Sequence, residues 1–299
     1  MQQPLYPKHT HCLISGSADL KAIKGYERHY LVKSRPLGFV FCSRIPTEQE
    51  LQKHYANYSR FEYYSPITKD RYRQLLTQWD PYRKTNKILD IGCGTGFFLE
   101  VAKEKGWDVY GTEYTTNAVE ICREKGINMH QGRLNAAWYD ECMFDVITSF
   151  EVMEHINNPL EEVKNIHTLL RKGGLFYLTT PNFNALERFI LKDEYNVIEY
   201  PEHLCYYTPK TLNYLLAHNG FEKLQVITTG ISFSRLISSI RTARNKPNNV
   251  PFVAFNSPDE LIRRKSEKNF VLHILKQLVN LTLNLLKTGN SLKARYIKV

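Results

Sequence analysis

Short apolar runs alternate with amphipathic stretches between residues 85 and 230. This order predicts a parallel sheet with helices on both faces. Strands are predicted at 87–91, 107–112, 127–131, 144–149, 174–180 and 223–229. Helices are predicted at 96–105, 117–125, 159–171 and 209–219, the last two ending near a glycine. The pattern predicts an α/β fold with a doubly wound, mostly parallel sheet and a final antiparallel strand at 291–298.

The flanking sequence predicts smaller parts around this core. Two helices, at 47–58 and 68–82, precede it. The predicted domains are an N-terminal lobe at 1–46, the core with its leading helices at 47–230, a helical insert at 231–290 and the last strand at 291–299. The insert begins with a polar stretch that contains Pro247, Pro251 and Pro258. A long helix follows at 259–287.

The long helix of the insert has a broad apolar face. Its polar positions are His273, Lys276, Gln277, Asn280, Asn284 and Lys287. Its apolar positions are Phe270, Val271, Ile274, Leu275, Leu278, Leu281 and Leu285. We expect this face to be buried, either against the core or against a second copy in a homodimer. Docking on an anionic membrane surface through 259–287 is the alternative.

A glycine-rich turn follows the first predicted strand. Asp90 ends this strand, and Gly92, Gly94 and Gly96 follow at alternate positions before a helix. Glycine lets the backbone approach a ligand closely, and the helix start offers free N–H groups. The spacing differs from the G-x-G-x-x-G of nicotinamide proteins, and Asp90 would repel a pyrophosphate but suits an ammonium group. The turn therefore favours S-adenosylmethionine over NAD on a Rossmann-like sheet.

A second carboxylate supports this cofactor. Glu113 ends the second predicted strand, 23 residues after Asp90, where a carboxylate can accept hydrogen bonds from both ribose hydroxyls. The competing interpretation is that the glycines form only a tight turn and that Glu113 is a solvated strand end.

Four stretches of the core resemble class I S-adenosylmethionine-dependent methyltransferases, and among these the ubiquinone-biosynthesis-type O-methyltransferases. They are 88–100, 144–156, 173–182 and 203–212. The resemblance implies that Asp90, Gly92 and Gly94 hold the methionine end, that Glu113 holds the ribose, and that Phe150 and Glu151 line the pocket. Adenine is expected to contact backbone groups and Tyr114, because Gly132-Arg133-Leu134 replaces the acid that many relatives use. The remaining predicted cofactor-binding residues are Cys93, Thr95, Gly96 and Phe97.

The segment after the fourth strand carries the candidate chemistry. Glu151, Glu154 and His155 stand at i, i+3 and i+4, so one helical turn would present all three to a common point. Two carboxylates and an imidazole suit Mg²⁺ or a softer divalent ion. The string resembles the metal motif of ubiquinone-type O-methyltransferases and of small-RNA 2′-O-methyltransferases. The latter add a distant histidine, for which His203 is the candidate.

Two other interpretations of this segment stay open. One is a packing or capping role without a metal. The other is general-base catalysis, because a hydroxyl nucleophile needs a base or a cation to lower its pKa. Glu154, His155 and His203 are therefore the candidate catalytic residues.

The N-terminal lobe resembles the zinc ribbon of some sugar- and natural-product-modifying methyltransferases, because 39–41 and 46–48 match the phrase that follows it. The four ligand positions hold Cys12, Ser15, Ser34 and Leu37. Serine and leucine cannot replace zinc-binding thiolates, so a metal-free lobe is predicted. A cluster of His9, His11 and Cys12 is the weaker alternative.

Charge and composition narrow the class of protein. No apolar run reaches about 18 residues, the N-terminus does not resemble a signal peptide, and six cysteines lack regular spacing. We therefore expect a cytoplasmic protein with reduced thiols, in peripheral contact with the inner face of the membrane if the long helix docks there. The net charge of +10 lies entirely in residues 231–299, which hold 13 Lys or Arg against 3 Asp or Glu.

The sequence thus predicts an enzyme that methylates a small molecule, a glycan or a lipid-linked precursor. An RNA 2′-O-methyltransferase is the alternative enzyme. Nucleic acid is disfavoured as a partner because no RNA-binding module is recognisable and the basic residues are not interleaved with aromatic ones. A non-catalytic S-adenosylmethionine-binding protein is the third hypothesis.

Overall fold

The computed structural model describes residues 6–56, 66–231 and 269–299. The contacts of the chain divide it into two compact units. The first unit comprises Met1–Phe61, Pro181–Thr211 and Ile227–Leu292, and the second comprises Glu62–Thr180, Leu212–Val226 and Lys293–Val299. The prolines of the insert and the first part of its predicted helix lie outside the described residues.

The elements of the described residues alternate as the pattern predicts. The strands are β1 (Leu20–Ala22), β2 (Leu31–Ser34), β3 (Val40–Cys42), β4 (Lys87–Ile91), β5 (Asp108–Glu113), β6 (Asn128–Gln131), β7 (Phe144–Phe150), β8 (Leu170–Pro181), β9 (Cys205–Tyr206), β10 (Phe221–Thr229) and β11 (Ser291–Lys298). The helices are α1 (Glu48–Ala56), α2 (Pro66–Trp79), α3 (Phe97–Glu104), α4 (Thr116–Glu124), α5 (Pro159–Leu169), α6 (Leu186–Leu191), α7 (Pro209–Ala217) and α8 (Phe270–Leu286).

A seven-stranded sheet, mostly parallel with one antiparallel end, forms most of the second unit. Its order is β10-β11-β8-β7-β4-β5-β6, and β4 pairs in parallel with both β5 and β7. The order of the strands therefore reverses beside β4, because the chain first adds β5 and β6 on one side of β4 and then β7 on the other. In open α/β sheets, ligands bind outside the carboxyl ends of the strands at such a point. The predicted doubly wound fold is confirmed.

The core of the second unit is aromatic where α2 and α3 pack on the sheet. Trp79, Phe98 and Trp107 are buried, and the ring centroids of Trp79 and Tyr177 lie 5.0 Å apart. Full burial of each such side chain contributes about 1.5–3 kcal/mol.

A buried carboxylate of β7 binds the segment that leads into β4. Asp145 is fully buried, and one of its oxygens accepts the backbone N–H groups of Lys84, Thr85 and Asn86 at 2.7, 2.7 and 2.8 Å. The other oxygen accepts a hydrogen bond from Arg171 Nε. These bonds satisfy a charge that would otherwise be costly to bury.

β8 is longer than its prediction, which placed a helix end at Gly173. Gly173 and Gly174 lie within the strand, and the register with β7 shifts between Phe144 and Val146. The glycine pair that the sequence suggested as a helix stop therefore lies where the register of the two strands shifts.

A four-stranded sheet organises the first unit, where the sequence showed only weak periodicity. Its order is β1-β2-β3-β9, with antiparallel pairs, and Val40 of β3 faces Tyr206 of β9. Its buried cluster includes Tyr26, Leu31, Tyr195 and Leu204. Residues far apart in sequence therefore share one core.

Burial of the long helix against the core is not seen for most of the apolar face in its described part, and burial against a second copy stays a prediction. In α8, Val271, Leu278, Leu281 and Leu285 are 54 to 72% exposed, whereas Leu283 is buried. No helix of the described residues is long and apolar enough to cross a bilayer.

Candidate functional site

The glycine turn joins β4 to α3 as predicted. Gly92, Gly94 and Gly96 have φ of +64°, +55° and +78°. A Cβ atom at Gly92 would lie 2.6 Å from Val152 Cγ2, and one at Gly96 would lie 2.7 Å from Ile127 Cδ1. Glycine is therefore required both by conformation and by space. The contact with Val152 also shows that the segment after β7 lies against the turn.

The start of α3 faces this turn. Gly96 is the N-cap residue of α3, and no side chain in the described part of the chain caps the helix there. The polarity of a helix N-terminus favours a negatively charged group, such as the carboxylate of an amino acid.

Cys93 contributes to the turn through its backbone. Its side chain is 7% exposed, and Sγ lies 3.9 Å from Met129 Sδ. A hydrogen bond with Cys122, together with burial, raises the pKa of the Cys93 thiol. The backbone carbonyls of Gly94 and Thr95 are also engaged, by Cys122 Sγ at 3.3 Å and Lys125 Nζ at 2.8 Å. These contacts hold the backbone of the turn in place.

Asp90 is buried at the carboxyl end of β4. It is 3% exposed, and its Oδ1 atom accepts a hydrogen bond from Thr148 Oγ1 at 2.6 Å. The sequence prediction missed Thr148, whose only signal is its place on the neighbouring strand. An ammonium group bound here would neutralise a carboxylate that is expensive to bury alone.

Glu113 connects the glycine turn to the end of β5. Its Oε2 atom accepts the N–H of Gly94 at 3.1 Å, and Oε1 accepts the N–H groups of Tyr114 and Thr115 at 2.8 and 3.0 Å. Within the described part of the chain, Oε2 accepts this single hydrogen bond. A carboxylate has about four acceptor positions, so Oε2 can also accept a ribose hydroxyl.

The loop after β6 closes the side where adenine is expected. Gly132 N–H donates to the Glu113 carbonyl at 2.8 Å, and Gln131 Nε2 donates to the Tyr114 carbonyl at 3.3 Å. The Tyr114 side chain is 48% exposed and Leu134 is buried. The sequence prediction omitted Gln131. These bonds place Tyr114 beside a short loop whose backbone groups are near the cofactor turn.

Phe150 ends β7 in an aromatic cluster. Its ring centroid lies 5.0 Å from that of Phe98, and 5.5 Å from those of Tyr72 and Tyr177. Tyr72 also lies 6.0 Å from Phe97, the first residue of α3. Tyr72 was not predicted, and its signal is its spacing from Leu76 and Trp79 on one face of α2.

The segment after β7 does not form the single α-helical turn that was predicted. A 3₁₀ turn spans Met153–His155 alone, and Glu151 precedes it with φ +54°. Glu151 is exposed, whereas Glu154 is 2% exposed and accepts a hydrogen bond from Thr180 Oγ1 at 3.0 Å. Because the backbone at Glu151 is left-handed and lies outside the turn, the three residues do not have the helical i, i+3, i+4 geometry.

The structure therefore does not bring together the three predicted metal ligands, Glu151, Glu154 and His155. Within the described residues, Glu151 belongs to no group of three metal-binding side chains with ligand atoms within 4.8 Å. Glu154 Oε1 and His155 Nε2 lie 3.9 Å apart.

His203 belongs to the first unit. Its backbone N–H donates to the Glu199 carbonyl at 2.8 Å, and its Nδ1 atom contacts the carbonyl of Val197. Its own carbonyl accepts a hydrogen bond from Tyr206 OH at 3.0 Å. His203 is therefore oriented within its loop by backbone groups. Its predicted catalytic role stays a prediction.

The fold and the glycine turn define an S-adenosylmethionine-dependent methyltransferase domain. Residues 59–226, more than half of the chain, match the family described as "Methyltransferase domain". The chain belongs to this family.

The curated relatives of the chain have more specific names than the family. It is 33% identical over 116 residues to the ubiquinone biosynthesis O-methyltransferase of Haemophilus ducreyi, a match that covers 35% of this chain and 49% of that protein. With the Coxiella burnetii protein of the same name it shares 26% identity over 174 residues, which cover 54% and 74%. The chain spans about half the length of the first curated relatives it matches.

Solved structures agree on the fold. A SAM-dependent methyltransferase from Archaeoglobus fulgidus aligns with a TM-score of 0.51 and 18% identity, covering 77% of this chain and 94% of that chain.

Proposed function

We propose that the protein transfers the methyl group of S-adenosylmethionine to oxygen of a small molecule, a glycan or a lipid-linked precursor. The observation that carries this proposal is the glycine turn with buried Asp90 on one side and Glu113 on the other. The names of the relatives support oxygen as the acceptor atom. They do not favour an RNA substrate or a protein without turnover.

S-adenosylmethionine, when bound, supplies an electrophilic methyl group on a positively charged sulfur. Asp90 fits its ammonium group, the N-terminus of α3 fits its carboxylate, and Glu113 fits its ribose. The acceptor hydroxyl must approach the methyl group in line with the breaking bond and lose its proton. The chain therefore needs a base beside the glycine turn.

His155 is the proposed base. It follows β7, whose next segment touches the turn through Val152 and Gly92, and its side chain is 18% exposed. The carboxylate of Glu154, 3.9 Å from Nε2, favours the protonated imidazole that forms when a hydroxyl proton is taken. The hydrogen bond from Thr180 holds this carboxylate in place.

A divalent ion bound through Glu154 and His155 is the alternative way to lower the pKa of the hydroxyl. Chelator decides between the two. If His155 acts alone, activity persists after treatment with EDTA. Loss of activity with EDTA, restored by Mg²⁺ or Zn²⁺, would replace the base by the metal.

The cofactor assignment is tested by titration calorimetry with S-adenosylmethionine and NAD. Removing the Glu113 carboxylate costs hydrogen bonds to a charged acceptor, so Glu113→Ala is expected to bind S-adenosylmethionine roughly 100-fold more weakly. Glu120→Ala, on the exposed side of α4, is the matched control and keeps wild-type affinity. Tighter binding of NAD than of S-adenosylmethionine would contradict the assignment.

The reaction is tested with S-adenosylmethionine labelled in its methyl group and extracts of cells that lack the gene. We expect label in a component that accumulates unmethylated in those cells, and none with Glu113→Ala. Label that appears in RNA, or no transfer to any component, would overturn the proposed function. The cytoplasmic location stays a prediction.

A further inference from the structure

The ring of Tyr72 lies among the aromatic side chains that border the glycine turn. Its centroid is 5.5 Å from that of Phe150, which ends β7, and 6.0 Å from that of Phe97, the first residue of α3. Phe97 directly follows the glycine turn, and Phe150 lies two residues after Thr148, which donates a hydrogen bond to Asp90. Helix α2 therefore places Tyr72 beside both segments to which the methionine end of the cofactor is assigned.

Tyr72 is more exposed than its aromatic neighbours in the core. Phe98 and Trp79 are 3% and 0% exposed, whereas Tyr72, Phe97 and Phe150 are half-buried. The centroids of Tyr72 and Phe98 lie 5.1 Å apart, so one side of the tyrosine packs on the core. Part of each half-buried ring remains accessible, and these rings lie near the carboxyl ends of the strands, where open α/β sheets bind their ligands.

The charge of the cofactor makes aromatic rings suitable at this position. S-adenosylmethionine carries two cationic groups, and the carboxylate of Asp90 is assigned to its ammonium group, so the sulfonium needs a second partner. The face of an aromatic ring attracts a cation that lies within about 6 Å of the ring centroid, as in the recognition of quaternary ammonium groups. A neutral thioether, such as the one in S-adenosylhomocysteine, is not attracted in this way.

We infer that the rings of Tyr72 and Phe150 contact the sulfonium of S-adenosylmethionine, and that this contact favours S-adenosylmethionine over S-adenosylhomocysteine. The inference rests on the proposed function, because it places S-adenosylmethionine at the glycine turn. In the transfer, the bond between sulfur and the methyl carbon breaks with its electron pair left on sulfur, and the acceptor oxygen bonds to the methyl carbon and gives up its proton. The sulfur then has no charge, so its attraction to the two rings falls and the product dissociates more readily.

The test is titration calorimetry of the full chain with each of the two ligands. Tyr72→Leu is expected to weaken the binding of S-adenosylmethionine about ten-fold and that of S-adenosylhomocysteine less than about two-fold. Tyr72→Phe keeps the ring, so it should bind both ligands as the wild type does. Tyr82→Leu is the matched control, because Tyr82 is also half-buried and packs on the same core, and it should change neither affinity.

A second measurement tests the role of charge without removing the ring. Progressively fluorinated phenylalanines replace Tyr72 by nonsense suppression. Fluorine withdraws electron density from the face of the ring and weakens its attraction for a cation, while the size of the ring changes little. Affinity for S-adenosylmethionine should fall with each added fluorine, and affinity for S-adenosylhomocysteine should stay constant.

Three results would overturn the inference. Equal losses of affinity for the two ligands in Tyr72→Leu would show that the ring acts through its shape. Affinity for S-adenosylmethionine that does not respond to fluorination would exclude the cationic contact. A loss in Tyr72→Phe as large as that in Tyr72→Leu would assign the effect to the hydroxyl. Each of these results leaves the proposed function intact, whereas a wild-type chain that binds neither ligand would overturn both.

Discussion

At the residue scale, single positions of the cofactor turn are fixed by backbone conformation and by neighbouring atoms. Gly92 combines a positive φ with the close approach of Val152, whereas Gly16 has a similar φ of +68° and no atom of the described residues within 4 Å of a Cβ added there. A comparison of substitutions at these two glycines therefore separates conformational strain from steric conflict. Glu162 shows a different effect at a single residue, because burial raises its pKa.

Gly92→Ala is expected to destabilise the protein more than Gly16→Ala does. Both substitutions add the strain of a positive φ, about 1–3 kcal/mol, but only Gly92→Ala also places a methyl group against Val152. Val152→Ala in the Gly92→Ala background should recover the steric part alone. Denaturant unfolding measures all four proteins. Equal losses for the two glycine variants would mean that the contact with Val152 has no energetic weight.

Glu162→Gln is expected to flatten the pH dependence of stability. Glu162 is buried on α5, one of its oxygens has no hydrogen-bond partner among the described residues, and burial raises the pKa of Glu162 to about 7. Arg133 opposes this shift and Glu161 adds to it. The folded state therefore prefers the protonated acid. The contribution of Glu162 to the free energy of unfolding should be highest below about pH 4.5 and fall until about pH 7, by at most about 3 kcal/mol, and this fall should be absent from Glu162→Gln.

The measurement is denaturant unfolding between these pH values. Glu161→Gln, at the exposed neighbouring position, is the control and should keep the wild-type profile. A wild-type profile that keeps the same slope as the Glu162→Gln profile over this interval would contradict the prediction.

At the element scale, short segments depart from what their sequence pattern predicts. The E-x-x-E-H string has helical spacing, yet the backbone at Glu151 is left-handed and only Met153–His155 forms a turn. Helix α8 has the predicted amphipathic pattern but the opposite orientation. In both cases periodicity describes which residues share a face and does not decide what that face contacts.

Asn284→Ala is expected to cost more stability than Leu285→Ala. Removing the asparagine leaves the Thr228 N–H without its acceptor, at about 1–3 kcal/mol, whereas Leu285 is 72% exposed and should cost about 0.5 kcal/mol or less. Thermal or denaturant unfolding of the two variants gives the comparison. The reverse order of stability would mean that the apolar face of α8 is the buried one.

At the scale of the whole molecule, the chain passes repeatedly between two units. β9 lies about 165 residues from β3 in sequence, yet the two strands pair and share a core with Tyr195 and Val197. The predicted boundary between residues 46 and 47 would cut this sheet. The boundary is an expectation from composition that can be tested by truncation.

Deleting residues 1–46 is expected to give insoluble protein. The deletion removes β1, β2 and β3, exposes an edge of β9 and uncovers Leu204 and Tyr206. Soluble yield and thermal unfolding are measured against the full chain, with fragment 1–46 supplied in trans as the control that should restore solubility. A truncated protein that is soluble and binds S-adenosylmethionine normally would establish residues 1–46 as an independent lobe.

The sequence by itself determined the order of the central strands and helices, the glycine turn, and the positions of Asp90 and Glu113 near the ends of two strands. These are local features, because glycine spacing, strand periodicity and helix stop signals act within a few residues of one another. Only the tertiary structure decided that β3 pairs with β9, that Thr148 and Tyr72 join the site, that Glu151 turns away and that α8 presents its leucines to the outside. Those outcomes depend on contacts between residues distant in sequence, such as the hydrogen bond that Asn284 Oδ1 accepts from the N–H of Thr228 on a side of α8 that hydrophobicity alone would have left in water.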